Sequence, residues 1–325
     1  MAIKICGTGS YLPAHRVTND DLSKIMDTSD EWIRSRTGIE SRHLVTDETT
    51  SSMSVEAAKN AMEQANVSAE EIDLIIAATI SQDYVIPTLA CEVQRELGAK
   101  KAVAFDIGAA CSGFLFALNT AYSYLKSGQY QTALILGAET LSKMMDWEDR
   151  STCVLFGDGA GAAIVRNQKE KGGIGIESLL QGSDGAKGMV LACKGRPVQN
   201  PYVETKEQRM SYVTMDGQEV YKFAVRTVPK AVKSAVEKAG LSLDEIDYFV
   251  LHQANIRIIE SVAKHLHQPM EKFPTNLQEC GNISAASVPI LLDNINRKGL
   301  LKKGDRIVLA GFGAGLTWGA VVLTW

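Results

Sequence analysis

A chain of 325 residues that is 45% hydrophobic can bury one large core or two intimate ones. Its 34 Lys and Arg against 38 Asp and Glu leave a formal net charge of −4, which excludes general nucleic-acid binding and admits only local basic patches. No apolar run reaches membrane-spanning length, the N-terminal MAIKICGTGSYLP reads as strand and turn rather than signal peptide, and six cysteines (6, 91, 111, 153, 193 and 280) without a CxxC pair read as reduced thiols of a cytoplasmic protein.

Ile3–Gly9 predicts a short strand. Thr18 or Asn19 can cap a helix through Leu22 to Met26, and Asp30 one through Trp32. Ser54–Ala65 places Val55, Ala58, Met62 and Ala65 on one side of an amphipathic helix, and Ile72–Ala78 is a buried strand. Pro87–Leu97 reads as a helix with Pro in its first turn. Ala102–Ile107 is an apolar run of β-formers that stops at Gly108, and from Ser112 to Lys126 the apolar residues recur at three- and four-residue steps. This is strand, tight turn, buried helix, with Gly128 at the helix end. Thr132–Leu136 and the Gly-rich Cys153–Val165 follow as strands; the glycines of FGDGAGAA (156–163) do not match GxGxxG.

The second half repeats the first. Residues 57–79 align without gaps to 231–253 at a constant offset of 174, each stretch reading helix, short turn, strand. KSGQYQTALILGAE (126–139) is echoed by KKGDRIVLAGFGAG (302–315). Alternating helix and strand in both halves predicts an α/β fold of two βα-rich units with parallel strands, residues 1–170 and 171–325. A duplicated pair of this kind puts its site where the halves meet.

Cys111 falls at the first turn of its helix, where unpaired N–H groups and the dipole favour a thiolate. Ala109, Ala110, Ser112 and Gly113 leave room for a substrate carbonyl. Taken alone the segment fits an inert buried thiol as well as a nucleophile. His252 ends the buried strand Asp247–Leu251, ahead of the helix Ile256–His267, on the edge where parallel α/β sheets bind ligands. A histidine at a strand end is equally a structural residue. Asn282 stands in the turn before the helix Ser284–Asn294, so the duplication places it and Cys111 at pseudo-equivalent helix starts; a plain N-cap is the alternative. GFGAGLTWG (311–319) lets backbone approach a ligand and can aim an N–H at an oxyanion. Arg257, Ser261 and Lys264 share one helix face.

Seven segments together, GTGSYLP (7–13), DEWIRSRTGI (30–39), GAACSGF (108–114), LFGDGAGAA (155–163), HQANIRII (252–259), GNISAASVP (281–289) and FGAGLTWG (312–319), closely resemble the β-ketoacyl-[acyl-carrier-protein] synthase III family, in order and over nearly the whole chain. The resemblance implies a thiolase-like fold, with duplicated halves in a layered αβαβα arrangement, and a homodimer. It implies a catalytic triad of Cys111, His252 and Asn282, with the backbone N–H groups of Cys111 and Ala314 as oxyanion hole. An acyl-CoA would acylate Cys111, and malonyl-acyl carrier protein would then supply the attacking enolate. CoA thioesters enter as substrates, and no metal or redox cofactor is implied.

Binding positions carry over in the same way. Trp32 and Arg150 match the pair that sandwiches the CoA adenine, and Thr28, Arg36, Gln218 and Asn255 match positions along the CoA and pantetheine tunnel. Lys222, Gln253, Arg257 and Lys264 match the surface that docks the acidic carrier protein. The position that closes the acyl pocket from the partner subunit holds Ile86 in place of a frequent Phe, which points to a longer or branched primer. Ala314 replaces a glycine of the frequent FGGG, His265 stands where a second basic residue often follows Lys264, and Leu191–Ser211 is longer than the usual loop. Two other readings fit the same residues: a triad enzyme of secondary metabolism, and a non-catalytic thiolase-fold partner, whose mark would be loss of the triad.

Overall fold

Side-chain caps and apolar runs divide the chain into its elements. In the computed structural model, which describes residues 2–168, 175–198, 200–203 and 211–325, the first half holds β1 (Ala2–Tyr11), β2 (Arg16–Thr18), α1 (Asn19–Leu22), α2 (Asp30–Thr37), β3 (Ser41–His43), α3 (Thr50–Ala65), β4 (Leu74–Ala78), α4 (Leu89–Leu97), β5 (Val103–Ile107), α5 (Gly113–Lys126), β6 (Thr132–Thr140) and β7 (Asp158–Gln168). The second holds β8 (Gly175–Ser183), β9 (Leu191–Ala192), β10 (Thr214–Met215), α6 (Gly217–Lys238), β11 (Tyr248–Leu251), α7 (Ile256–Leu266), α8 (Leu277–Cys280), α9 (Ser287–Arg297), β12 (Arg306–Gly313) and β13 (Thr317–Thr324). Thr18 caps α1, and Ser29 rather than Asp30 caps α2. Thr88 caps α4, so Pro87 precedes that helix instead of entering its first turn. The proposed join at 170/171 and part of the 191–211 loop lie outside the described residues.

Two large sheets form, ordered β1-β7-β6-β4-β5 and β11-β12-β13-β8, beside the two-stranded pairs β2–β3 and β9–β10. Only β4 with β5 and β6, and β11 with β12, are parallel; the remaining pairs are antiparallel. The reason is clear at β12–β13, where a short Gly-containing connection returns the chain directly alongside itself. Strand alternation distributes the core. Leu74, Ile76 and Ala78 of β4 join Ile307 and Leu309 of β12 around α5 and α9, between the sheets. Ile75 and Ala77 face α3 and α4 outside the first sheet, while Val308 and Ala310 face α6 and α7 outside the second. The layers are therefore αβαβα, as the resemblance implied, and β6 is buried along its full length because both its faces are covered.

The offset of 174 extends well beyond the sequence identities. A 3-10 turn at Ala110–Ser112 precedes α5, and its counterpart at Ser284–Ala286 precedes α9. Ala110 and Ser284 share a left-handed φ of 44° and 43°. Register agrees: Leu74 pairs Ala133 and Tyr248 pairs Ile307. This moves the 126–139 echo by two residues from the alignment read in sequence. It also makes Ala285, not Asn282, the counterpart of Cys111; Asn282 corresponds to Gly108. Leu118 is fully buried on α5 between the sheets, so Leu118→Ala should cost about 2–5 kcal/mol in chemical denaturation, because neither flanking sheet can collapse onto the cavity.

Candidate active site

The 3-10 turn bearing Cys111 is pressed against the end of β12. A Cβ on Gly313 would stand 2.6 Å from the Cys111 amide nitrogen, and one on Gly311 would stand 3.6 Å from Cβ of His252 and 3.7 Å from the Cys111 carbonyl oxygen. Glycine at 313 lets the Cys111 turn and the Gly313–Ala314 peptide meet, while the 311 contacts with Cys111 and His252 are ordinary van der Waals distances. Ala314 takes an ordinary negative φ, so it meets no backbone obstacle where relatives often have glycine.

His252 follows β11, and its N–H continues the ladder to the Ala310 carbonyl at 2.8 Å. Its side chain is 2% exposed, with the ring edge-on to Phe312 at 5.3 Å. Nδ1 is buried and has no partner among the described residues. Nε2 is neither paired nor enclosed and meets the cavity. Asn282 is fixed by its own backbone, donating to Leu155 O at 2.8 Å and accepting from Gly157 N at 3.1 Å. Its Oδ1 accepts from Ser284 N at 2.9 Å, which leaves the Nδ2 donors for the cavity. Cys111, His252 and Asn282 thus converge on one pocket of about 150 Å³ walled by Phe156, Val220, Phe223 and Leu316. A larger groove of about 480 Å³, under Lys187, Lys222, Arg226 and Lys230, is lined by no cysteine or histidine.

Burial sets the charges here. It pushes the Cys111 thiol from 9.0 up to about 12, a rise that the approaching Ser284 hydroxyl moderates and Glu139 reinforces. A helix end contributes about 1 kcal/mol, which is less than one pH unit, so the expected resting thiolate does not form. Burial likewise drops His252 to about 3 and keeps it neutral. Glu139 is fully buried and raised to about 7, with Ser81 Oγ on its Oε2 at 2.5 Å. Under the 174 offset Glu139 is the counterpart of Gly313: one backs the Ser284 turn, the other the Cys111 turn. Neither Glu139 nor Ser284 was singled out in sequence, although the repeat marks both.

Comparison with known proteins now decides the family. The family model "3-oxoacyl-[acyl-carrier-protein (ACP)] synthase III C terminal" matches residues 236–325, and the model "3-oxoacyl-[acyl-carrier-protein (ACP)] synthase III" matches residues 105–191. A β-ketoacyl-[acyl-carrier-protein] synthase III of Clostridium acetobutylicum is 53% identical over 324 residues, covering 100% of this chain and 99% of that protein. The chain belongs to the β-ketoacyl-[acyl-carrier-protein] synthase III family. It is accordingly a condensing acyltransferase. The crystal structure of the Aquifex aeolicus synthase III superposes with a TM-score of 0.92 at 46% identity, covering 99% of this chain and 100% of that one. The priming β-ketosynthase of the R1128 polyketide pathway gives 0.93 at 36% identity, covering 99% and 96%.

The positions expected for CoA in a synthase III gather at one mouth. Trp32 lies between two guanidiniums, Arg36 at 4.7 Å and Arg150 at 5.1 Å. Arg150 is also held by the Asp27 carbonyl and carboxylate, so a base stacking on Trp32 has to displace it. Asn255 caps α7 and donates to Arg36 O at 2.9 Å, while Arg257 donates to Ser35 O at 2.6 Å. Gln218 is exposed in the first turn of α6, and the Thr28 Oγ1 is buried without a partner among the described residues. Arg257, Lys222 and Lys264 are exposed, as docking requires. Gln253 is not: it is 1% exposed, donates to Leu251 O at 2.8 Å and accepts from Asn276 N at 3.1 Å. These bonds tie the end of β11 to Asn276, and the buried side chain is not at the surface where a carrier protein would dock. Ile86 is 83% exposed and stands outside the chain's own cavity.

With the thiol raised to about 12, alkylation of Cys111 by iodoacetamide should rise about tenfold per pH unit from pH 7 to 9, because only the thiolate reacts. A plateau below pH 8, followed by mass spectrometry, would contradict the neutral resting state.

Proposed function

We propose that the chain starts fatty-acid synthesis by condensing an acyl-CoA primer with malonyl-acyl carrier protein through an acyl-Cys111 thioester. The convergence of Cys111, the Nε2 face of His252 and the Nδ2 face of Asn282 on one dry pocket carries this reading. In the first step the Cys111 sulfur attacks the acyl-CoA carbonyl. The thioester passes to the enzyme, and CoA leaves with the thiol proton. The N–H groups of Cys111 and Ala314 receive the oxyanion.

Malonyl-acyl carrier protein then loses carbon dioxide. A neutral His252 carrying its proton on Nε2, together with Asn282 Nδ2, donates to the thioester oxygen of the enolate that remains. A protonated imidazole is excluded by the burial of His252. The enolate carbon attacks the acyl carbonyl, β-ketoacyl-carrier protein departs, and Cys111 takes up one proton. These steps balance without an electron acceptor or metal, which supports the expectation of no cofactor.

Acidic carrier protein suits the exposed Arg257, Lys222 and Lys264 around the mouth. A homodimer suits two features. β5 is a sheet edge with Val103 46% exposed, and the neighbouring loop shows Tyr84, Val85 and Ile86 at 58%, 83% and 83%. Its exposure supports the reading in which Ile86 closes the acyl pocket of a partner subunit. No helix among the described residues is long and apolar enough to cross a membrane, which supports a cytoplasmic enzyme.

The half-reactions separate the roles. Cys111→Ala should take up no acyl group. His252→Ala and Asn282→Ala should still be acylated, yet lose about 100-fold or more in release of carbon dioxide from malonyl-carrier protein. Equal loss of both half-reactions in all three variants would overturn the assignment.

A further inference from the structure

Two hydroxyls join the turn that carries Cys111 to the loop that carries Ala314. Ser112, next to the nucleophile and fully buried, places Oγ 2.7 Å from Oγ1 of Thr317. The same Ser112 oxygen lies 2.9 Å from the carbonyl of Ala109. Thr317 Oγ1 lies 3.2 Å from that carbonyl and 3.0 Å from the carbonyl of Ala314. Two hydroxyls hold two protons, and this limits the pattern. If Ser112 donates to Ala109, Thr317 donates to Ser112. If Ser112 donates to Thr317, Thr317 donates to Ala314 or Ala109. Every arrangement ties the turn to Thr317 at the start of β13, 205 residues away in sequence, and donation by Thr317 to the Ala314 carbonyl extends the tie into the β12–β13 connection.

The connection is held on one side by Leu316, whose carbonyl accepts from Asp184 N at 2.8 Å and whose N–H donates to Asp184 O at 3.0 Å, and the hydroxyl pair supplies a tie on the side of the Cys111 turn. Bonds shielded from water are costly to break singly, because a buried acceptor is left unpaired. Neither Ser112 nor Thr317 lines the cavity, so neither addresses substrate.

We infer that the Ser112–Thr317 hydroxyl pair is a positioning device that holds the Ala314 N–H in register with the Cys111 N–H, so that both meet one oxyanion. The inference rests on the condensation proposed above. It deepens that reading by assigning the geometry of the acylation step to two residues that touch no reacting atom.

Two reactions of the same sulfur separate this role from a general one. Acetylation by acetyl-CoA passes through a tetrahedral oxyanion. Alkylation by iodoacetamide is a displacement at saturated carbon and forms none. In the full-length protein, Thr317→Val replaces the hydroxyl by a methyl at similar volume. It should slow acetylation about 10- to 100-fold, in the range set by loss of one oxyanion donor. KM for acetyl-CoA should stay within about threefold and alkylation within about twofold, since binding and nucleophile are untouched. Thr317→Ser should restore acetylation. Ser112→Ala should lose as much as Thr317→Val, and the double variant little more, as expected for one coupled unit. Acetylation unchanged in Thr317→Val, or acetylation and alkylation falling together, would overturn the inference. Wild-type protein that is alkylated but accepts no acyl group would sink the condensation reading itself, and this inference with it.

Discussion

The approach of the Cys111 turn to the end of β12 is the contact on which the site depends. It requires glycine at 313, where an added Cβ would stand 2.6 Å from the Cys111 amide nitrogen. It also requires the left-handed Ala110 that turns the chain into α5. Two sheets and the α5/α9 layer between them hold these pieces from opposite sides. The nucleophile comes from one half of the duplication, and the imidazole and amide from the other. The site therefore exists only where the halves are packed together.

Burial then decides the chemistry. Cys111, His252 and Glu139 are all at most 8% exposed, and each is driven toward its neutral form. A dry neutral pocket suits an enolate, because an uncharged donor stabilises the oxygen without becoming a competing acid. In the proposed reaction the buried thiol stays mostly neutral at rest and transfers its proton as the thioester is attacked. The polar side chains nearby are consumed by the backbone. Asn282 gives its oxygen to Ser284, and Gln253 spends both ends within the fold.

Much of this was legible in the sequence. Apolar periodicity located α5, β4 and β11, and the offset of 174 carried the duplication into the layered sheets. The motifs around 111, 252 and 282 pointed to three residues that line one pocket. What escaped has physical reasons. Strand direction at β13 depends on its short connection from β12, and at β7 on the path of residues 141–157, neither of which periodicity encodes. Gln253 carries no mark of burial, since alternation ends with β11 and the polar segment beyond it runs between layers. The charge state of Cys111 was misread because helix position is visible in sequence and the extent of burial is not. Ser112 and Thr317 meet across 205 residues, a distance that no local pattern spans.

The central claim is that one buried thiol carries the acyl group between two substrates. The most direct test weighs the intact protein after separate incubation with acetyl-CoA, isobutyryl-CoA and hexanoyl-CoA, followed by malonyl-acyl carrier protein. The account predicts a single adduct mapping to Cys111, formed with at least one of the three primers and discharged as β-ketoacyl-carrier protein in the second step. An adduct on another residue, or one that malonyl-carrier protein leaves in place, would contradict it.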